Sequence, residues 1–161
     1  IEAFILESFK DIKIRVVNSG DVDIYNRIYD CKKYLKNKFL LCYGDTLADI
    51  NILELNKFYS KKMSRGIITI YQLQSQFGII KSNDDLVYEY LEKPKLDAWI
   101  NIGYFILDKS LIIKSNHNFV DFIDSLVRSK QLYAYKHDGL HITVNTVKEL
   151  QEAELNIKYF K

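Results

Sequence analysis

Proline is almost missing from this chain: Pro94 is the single one in 161 residues, alongside six glycines and two cysteines. So little proline and glycine excludes a collagen-like or low-complexity chain, and no Pro/Gly/Ser linker or internal repeat divides the sequence. Cys31 and Cys42 share no motif spacing, which argues against a disulfide framework and fits a reducing cytoplasm. No run approaches the roughly 18 apolar residues of a membrane span. The chain opens at Ile1 with no signal-peptide pattern. Charge of either sign is also scarce in excess: 23 Lys and Arg face 21 Asp and Glu, a net +2 that is too small to imply nucleic acid as a partner. The densest basic run, Lys32 to Lys38, is broken by Tyr34, Leu35 and Asn37 and reads as the solvated end of a helix.

Hydrophobic residues at 48% and charged residues at 27% are those of a globular protein. The length suits one domain, residues 1–161, which buries roughly two-thirds of its unfolded surface without needing a disulfide or metal staple.

Periodicity then assigns the elements. Residues 1–9 have helical spacing, and 12–17 read as a short strand closed by Asn18-Ser19-Gly20. Asp21 or Asp23 caps a helix running to about Leu35. Phe39 to Tyr43 is a continuous apolar run ending at Gly44, the mark of a strand covered on both faces. Asp49 caps a helix through Lys62, and Gly66 starts a second buried strand, 67–73. Residues 77–81 and 86–91 form a hairpin around Ser82-Asn83-Asp84-Asp85. Residues 99–107 are the strongest strand pattern in the chain, and 119–128 are helical. Strands at 131–136 and 140–144 flank His137-Asp138-Gly139. Thr146 caps a last helix, with Glu149 placed for a capping box. The expected fold class is a layered α/β domain, a mixed, mostly parallel sheet with helices on both faces.

Ligands of open α/β sheets collect beyond the carboxyl ends of strands. After 39–43 come Gly44 and Asp45, where a carboxylate can hold a hard cation such as magnesium. Alone, Asp45 reads equally as a loop opener or a cap. Lys93, set beside the only proline, is placed to meet a phosphate as a point charge. Asn101 interrupts an apolar strand, where its amide must bond either neighbouring backbone or a ligand hydroxyl. Gly103 weakens that strand unless something approaches its backbone closely.

The strand-Gly44-Asp45, then Glu92-Lys93-Pro94 after a hairpin, then Asn101-Ile102-Gly103-Tyr104, in this order, resemble the sugar-phosphate nucleotidyltransferases, most closely the glucose-1-phosphate cytidylyltransferase branch. Gln76-Phe77-Gly78, residues 132–139 and Asn145-Thr146 add to the likeness, which runs from about Leu40 to the end. The resemblance implies transfer of a nucleoside monophosphate from a nucleoside triphosphate to a sugar 1-phosphate, with Mg2+ as cofactor and pyrophosphate as leaving group. It implies Asp45 as metal ligand and Lys93 on the sugar's phosphate. Glu92 and Asn101 would bond sugar hydroxyls, with Gly44, Gly78 and Gly103 lining the substrate site.

Two departures accompany it. The second metal carboxylate expected within 140–146 is replaced by Asn145, or by Thr143 in the other alignment. The family's opening glycine-rich loop has no counterpart, so the chain corresponds to the larger, C-terminal part of such a domain and on its own lacks most of the nucleotide site. A non-catalytic, sugar-nucleotide-binding relative is the alternative. A metal-dependent glycosyltransferase fits less well, because Asp45 is followed by Thr46-Leu47-Ala48 before Asp49 rather than by an Asp-x-Asp. The many tyrosines suit a homo-oligomer interface as well as a core.

Overall fold

The computed structural model describes residues 2–115 and 118–160, so Ile1, where the expected first helix opens, lies outside it. Its elements are α1 (Glu2–Ser8), α2 (Ile24–Cys31), β1 (Lys38–Cys42), β2 (Thr46–Ala48), α3 (Ile52–Lys62), β3 (Gly66–Gln74), β4 (Ile79–Asn83) and β5 (Leu86–Leu91). There follow β6 (Lys95–Asp108), α4 (Phe119–Arg128), β7 (Leu132–His137), β8 (His141–Thr143) and α5 (Val147–Asn156).

The main sheet has the order β1-β6-β3-β7. β6 is antiparallel to both β1 and β3, while β3 and β7 pair in parallel. Hence β1, β3 and β7 all run one way and β6 the other, so the sheet is mixed with most strands parallel in direction, as expected. Two small ladders, β2–β8 and β4–β5, stand apart from it.

Alternation along β6 explains the layers. Phe105 and Leu107 face α2 and α4, packing with Tyr25, Ile28, Phe119, Phe122 and Leu126. Ile102 and Ile106 face the other way, onto Ile50, Leu55 of α3 and Ile67. Five residues of β6 (Asn101 to Phe105) oppose three of β3 (Ile68 to Ile70), a bulge whose two extra residues keep the alternation in phase. Gly103 sits in it at φ +77°, a conformation that favours glycine.

Local chemistry sets the ends. Asp23 Oδ1 accepts from Tyr25 N at 2.8 Å, capping α2, and also from Phe119 N at 2.9 Å, so one carboxylate ties two helices on the same face of the sheet. Asn118 with Asp121, and Thr146 with Glu149, form full capping boxes on α4 and α5.

Several expectations are corrected. Residues 13–20 form no strand; Ile12, Ile14 and Val16 are exposed and no ladder takes them up among the described residues. Helix α2 stops at Cys31 and tightens into a 3-10 turn, Lys32–Tyr34. β1 is an edge strand of the main sheet whose exposure alternates, rather than one covered on both faces. Asn51, not Asp49, caps α3, accepting from Leu53 N and Glu54 N. The strands around His137-Asp138-Gly139 do not pair with each other: β7 joins the main sheet and β8 joins β2.

Candidate functional site

The carboxyl ends of β1 and β7 lie at the same end of the sheet, and the chain leaves β1 through Tyr43-Gly44-Asp45. Tyr43 N still bonds Gly103 O at 2.9 Å, extending the β1–β6 ladder by one residue. The backbone then turns into β2, which pairs Thr46 with Thr143. Just before that ladder, Val144 N donates to Asp45 O at 2.7 Å. Asp45 and Asn145 therefore sit on adjacent backbone segments, with Val144 rather than Asn145 directly opposite Asp45. The Asp45 carboxylate accepts from Thr46 Oγ1 at 3.2 Å. It lines a cavity of about 350 Å3 with Gly44, Leu47, Val144 and, from α5, Glu154.

Tyr43 organises the next group. Asn101 Nδ2 donates to its hydroxyl at 3.2 Å, and Asn101 Oδ1 accepts from Gly103 N at 2.9 Å. The amide thus bonds neighbouring protein, the first of the two roles open to it. A Cβ on Gly103 would come within 2.5 Å of the Tyr43 ring, so the close approach that this glycine permits is by an aromatic side chain. Burial raises the Tyr43 hydroxyl pKa above its ordinary value; the Asn101 hydrogen bond opposes this and the Asp45 charge adds to it. Tyr43 accordingly stays a neutral phenol.

Glu92, Lys93 and Gly78 form a second group at the base of the β4–β5 hairpin. Tyr90 OH donates to the Glu92 carboxylate, and the Tyr90 ring fills the space that a Cβ on Gly78 would need, 2.6 Å away. Lys93 holds a left-handed backbone, φ 43°, with its carbonyl bonded by Gln74 Nε2 at 3.1 Å. Measured along β3, Ile70 opposite Asn101 and Gln74 opposite Lys95 are four residues apart, roughly 13 Å at strand rise. The two groups therefore lie apart along β3 and β6 without touching, separated by a span that a phosphorylated ligand could bridge.

Sequence reasoning missed Asp49 as more than a cap. Its Oδ1 accepts from Leu140 N at 2.7 Å and lies 3.1 Å from His137 Nε2. Glu154 was also missed, because nothing in a solvent-facing helix pattern marks one acid as cavity-lining. His137 and His141 both flank the Tyr71 ring, at 6.2 and 5.1 Å, and among the described residues no three His, Cys, Asp or Glu side chains converge as a ready metal cage. One carboxylate, with an amide on the neighbouring backbone segment, is nonetheless compatible with Mg2+, which commonly takes one or two carboxylates and completes its shell with water and substrate phosphate.

Comparison with known proteins places this geometry in context. A family model described as nucleotidyl transferase matches residues 22–160. A Bacillus subtilis (strain 168) protein named "Probable glucose-1-phosphate cytidylyltransferase" is 31% identical over 147 residues, covering 87% of this chain and 58% of that protein. A glucose-1-phosphate adenylyltransferase of Clostridium novyi (strain NT) is 28% identical over 153 residues, covering 83% and 40%. The chain thus spans about half the length of these curated relatives. In fold it is similar to HddC from Yersinia pseudotuberculosis, with a TM-score of 0.68 and 20% identity over 99% of this chain and 72% of that one. The same protein has been solved complexed with GMP-PN.

Proposed function

Because the chain belongs to the nucleotidyl transferase family, we propose that its protein transfers a nucleoside monophosphate from a nucleoside triphosphate to a sugar 1-phosphate. An oxygen of the sugar phosphate attacks the α-phosphorus, the bond to the β-phosphate's bridging oxygen breaks, and pyrophosphate leaves. The names of the curated relatives, cytidylyl and adenylyl transferases of glucose 1-phosphate, support this reaction class. The observation that carries it is Asp45: a carboxylate at the carboxyl end of β1, anchored through its own carbonyl to Val144 and lining a cavity.

Asp45, with Asn145 on the neighbouring backbone segment, would hold Mg2+, which supplies charge neutralisation for the two reacting phosphates when bound. With one charge where two are usual, the site binds the ion more weakly and depends more on substrate phosphates to complete it. Lys93 neutralises the sugar's phosphate, and its placement about 13 Å or more along the sheet from Asn101 leaves room for the sugar between them. Asn101, Gly103 and Tyr43 form the wall against which the sugar sits. We extend the reading to a cytoplasmic enzyme that supplies activated sugar for surface polysaccharide.

The test is pyrophosphate release by the protein as its own cell makes it, with each nucleoside triphosphate and a panel of sugar 1-phosphates. Asp45→Asn should abolish most turnover at unchanged folding. Absence of release with every pair would sink the reading. The Asn at position 145 favours a second one, a non-catalytic relative that binds a sugar nucleotide; in that case Asp45→Asn leaves ligand affinity largely intact.

A further inference from the structure

We propose that Asp49 and His137 are positioning residues that fix the register of the β2–β8 ladder, and through it the alignment of Asp45 with Val144. The inference rests on the reading of Asp45 as a metal ligand. The ladder has three residue pairs, Thr46–Thr143, Leu47–Ile142 and Ala48–His141. Beyond them one further backbone bond stands at each end: Val144 N to Asp45 O at 2.7 Å, and Asp49 N to Leu140 O at 3.3 Å. So short a two-stranded ladder has little stability of its own. A slip of one residue would turn every side chain to the opposite face and take Val144 out of line with Asp45.

A clasp stands at the Asp49 end. Asp49 Oδ1 accepts from Leu140 N at 2.7 Å, and His137 Nε2 lies 3.1 Å from that same oxygen and 3.1 Å from Leu140 O. Both neighbours of Nε2 are acceptors, so this nitrogen carries the proton and donates to them. His137 is buried and is the last residue of β7, paired with Tyr71 of β3, so it belongs to the main sheet. The clasp therefore ties the small ladder to the rigid one at a single register. Apolar contacts can slide along a strand; a carboxylate oxygen shared by two donors cannot. Gly139 makes the clasp possible, because a Cβ there would collide with the Asp49 carboxylate and approach His137 Cε1 to 2.8 Å.

Asp49 lies four residues from Asp45, roughly 13 Å along an extended strand, so its influence is transmitted by the ladder and not by contact. The experiment compares wild type, Asp49→Ala and Asp49→Asn in the protein as its cell makes it. It reads Mn2+ binding by loss of the free-ion EPR signal, and amide exchange of Val144 and Phe105 by NMR. Asp49→Ala should weaken Mn2+ binding about tenfold or more, the usual effect of losing a group that orients ligands. It should also speed Val144 exchange while leaving Phe105 in the main sheet unchanged. Asp49→Asn, whose amide oxygen still accepts from Leu140 N, should recover most of both.

If Asp49→Ala does not fold, His137→Ala carries the same comparison, since the Asp49–Leu140 bond remains. A folded variant with Mn2+ binding unmoved overturns the proposal, whatever Val144 does. Val144 and Phe105 speeding together would also overturn it, as a general loss of stability. Should wild type bind no Mn2+ that Asp45→Asn removes, the metal reading itself fails, and Val144 exchange alone then decides whether the clasp sets the register.

Discussion

Asn101 joins the middle of β6 to the exit of β1: its Nδ2 donates to the Tyr43 hydroxyl at 3.2 Å while its Oδ1 takes the Gly103 amide at 2.9 Å. One side chain thereby holds the β6 bulge against the exit of β1, and Tyr43 packs over Gly103 as a lid on the bulge. Two glycines a few residues from this junction should respond differently to alanine. Gly103→Ala meets the Tyr43 ring at 2.5 Å and a φ of +77°. Overpacking plus a left-handed alanine should destabilise by about 2–4 kcal/mol in urea unfolding. Gly44→Ala meets nothing within 4 Å and should stay within about 0.5 kcal/mol of wild type. If ligand backbone contact at Gly44 is real, that same variant raises the substrate KM without touching stability.

The neighbouring residues Asp49 and Asn51 should separate in the same way. Asn51 caps α3, accepting from Leu53 N and Glu54 N at 3.1 Å each, so Asn51→Ala should cost about 1 kcal/mol, read by thermal or urea unfolding. It should leave Mn2+ binding alone, because the Asn51 side chain bonds only the first turn of α3. Asp49→Ala should show the reverse pattern, with the larger effect at the metal. Equal effects of both variants on stability and metal binding would restore Asp49 to a capping role.

That pair also shows where sequence reading ends. Both residues are good caps by type, and one turn of periodicity cannot choose between them; the choice was made by Leu140, 91 positions away, whose backbone claims Asp49. Local signals were reliable where the answer was local: Thr146 with Glu149 on α5 and α4 over Phe119–Arg128 stand where periodicity and capping chemistry put them, and the hairpin forms with its first strand two residues later than expected, at Ile79–Asn83. Strand partnership was not legible, because β7 and β8 carry no mark of which ladder they join. The same holds for β1, whose apolar run looks like a strand buried on both faces although it ends the sheet. For the site, Asp45 and Asn145 were candidates by resemblance alone, and the fold sets their backbone segments side by side. The Asn101–Tyr43 bond was invisible, since hydroxyl and amide lie 58 positions apart.

Acid should loosen the β2–β8 ladder. Burial lowers the His141 pKa below its ordinary 6.5, and the nearby His137 lowers it further. A folded pKa below the unfolded one means the unfolded chain binds more protons in between. Stability from the neutral ring is therefore present above about pH 6.5 and is lost as pH falls through the lower folded value. His141 also lies 3.3 Å from Thr143 Oγ1 and stacks near Tyr71, contacts that suit a neutral ring. The expected outcome is a Tm that declines on acidification below pH 6.5, with part of the slope removed in His141→Gln. A wild-type slope that His141→Gln leaves unchanged would assign the acid sensitivity to other groups.

Lys93 offers a substitution in which stability and function should move in opposite directions. A lysine at φ 43° before a proline occupies backbone that glycine enters freely and L side chains enter at an expense of about 1 kcal/mol or more. Strain of this kind persists where the side chain has work to do. Lys93→Gly should therefore raise resistance to urea by up to about 1 kcal/mol. It also deletes the ammonium proposed for the sugar's phosphate, so the KM for sugar 1-phosphate should rise, by about tenfold if one charge-assisted contact worth about 1.4 kcal/mol is lost. The KM for the nucleoside triphosphate should change little. Lys93→Ala keeps the backbone strain and loses the charge, so it should share the kinetic defect without the gain in stability. If Lys93→Gly is more stable yet binds sugar phosphate as well as wild type, the left-handed lysine is a turn residue, and the sugar's phosphate must be met elsewhere along the sheet.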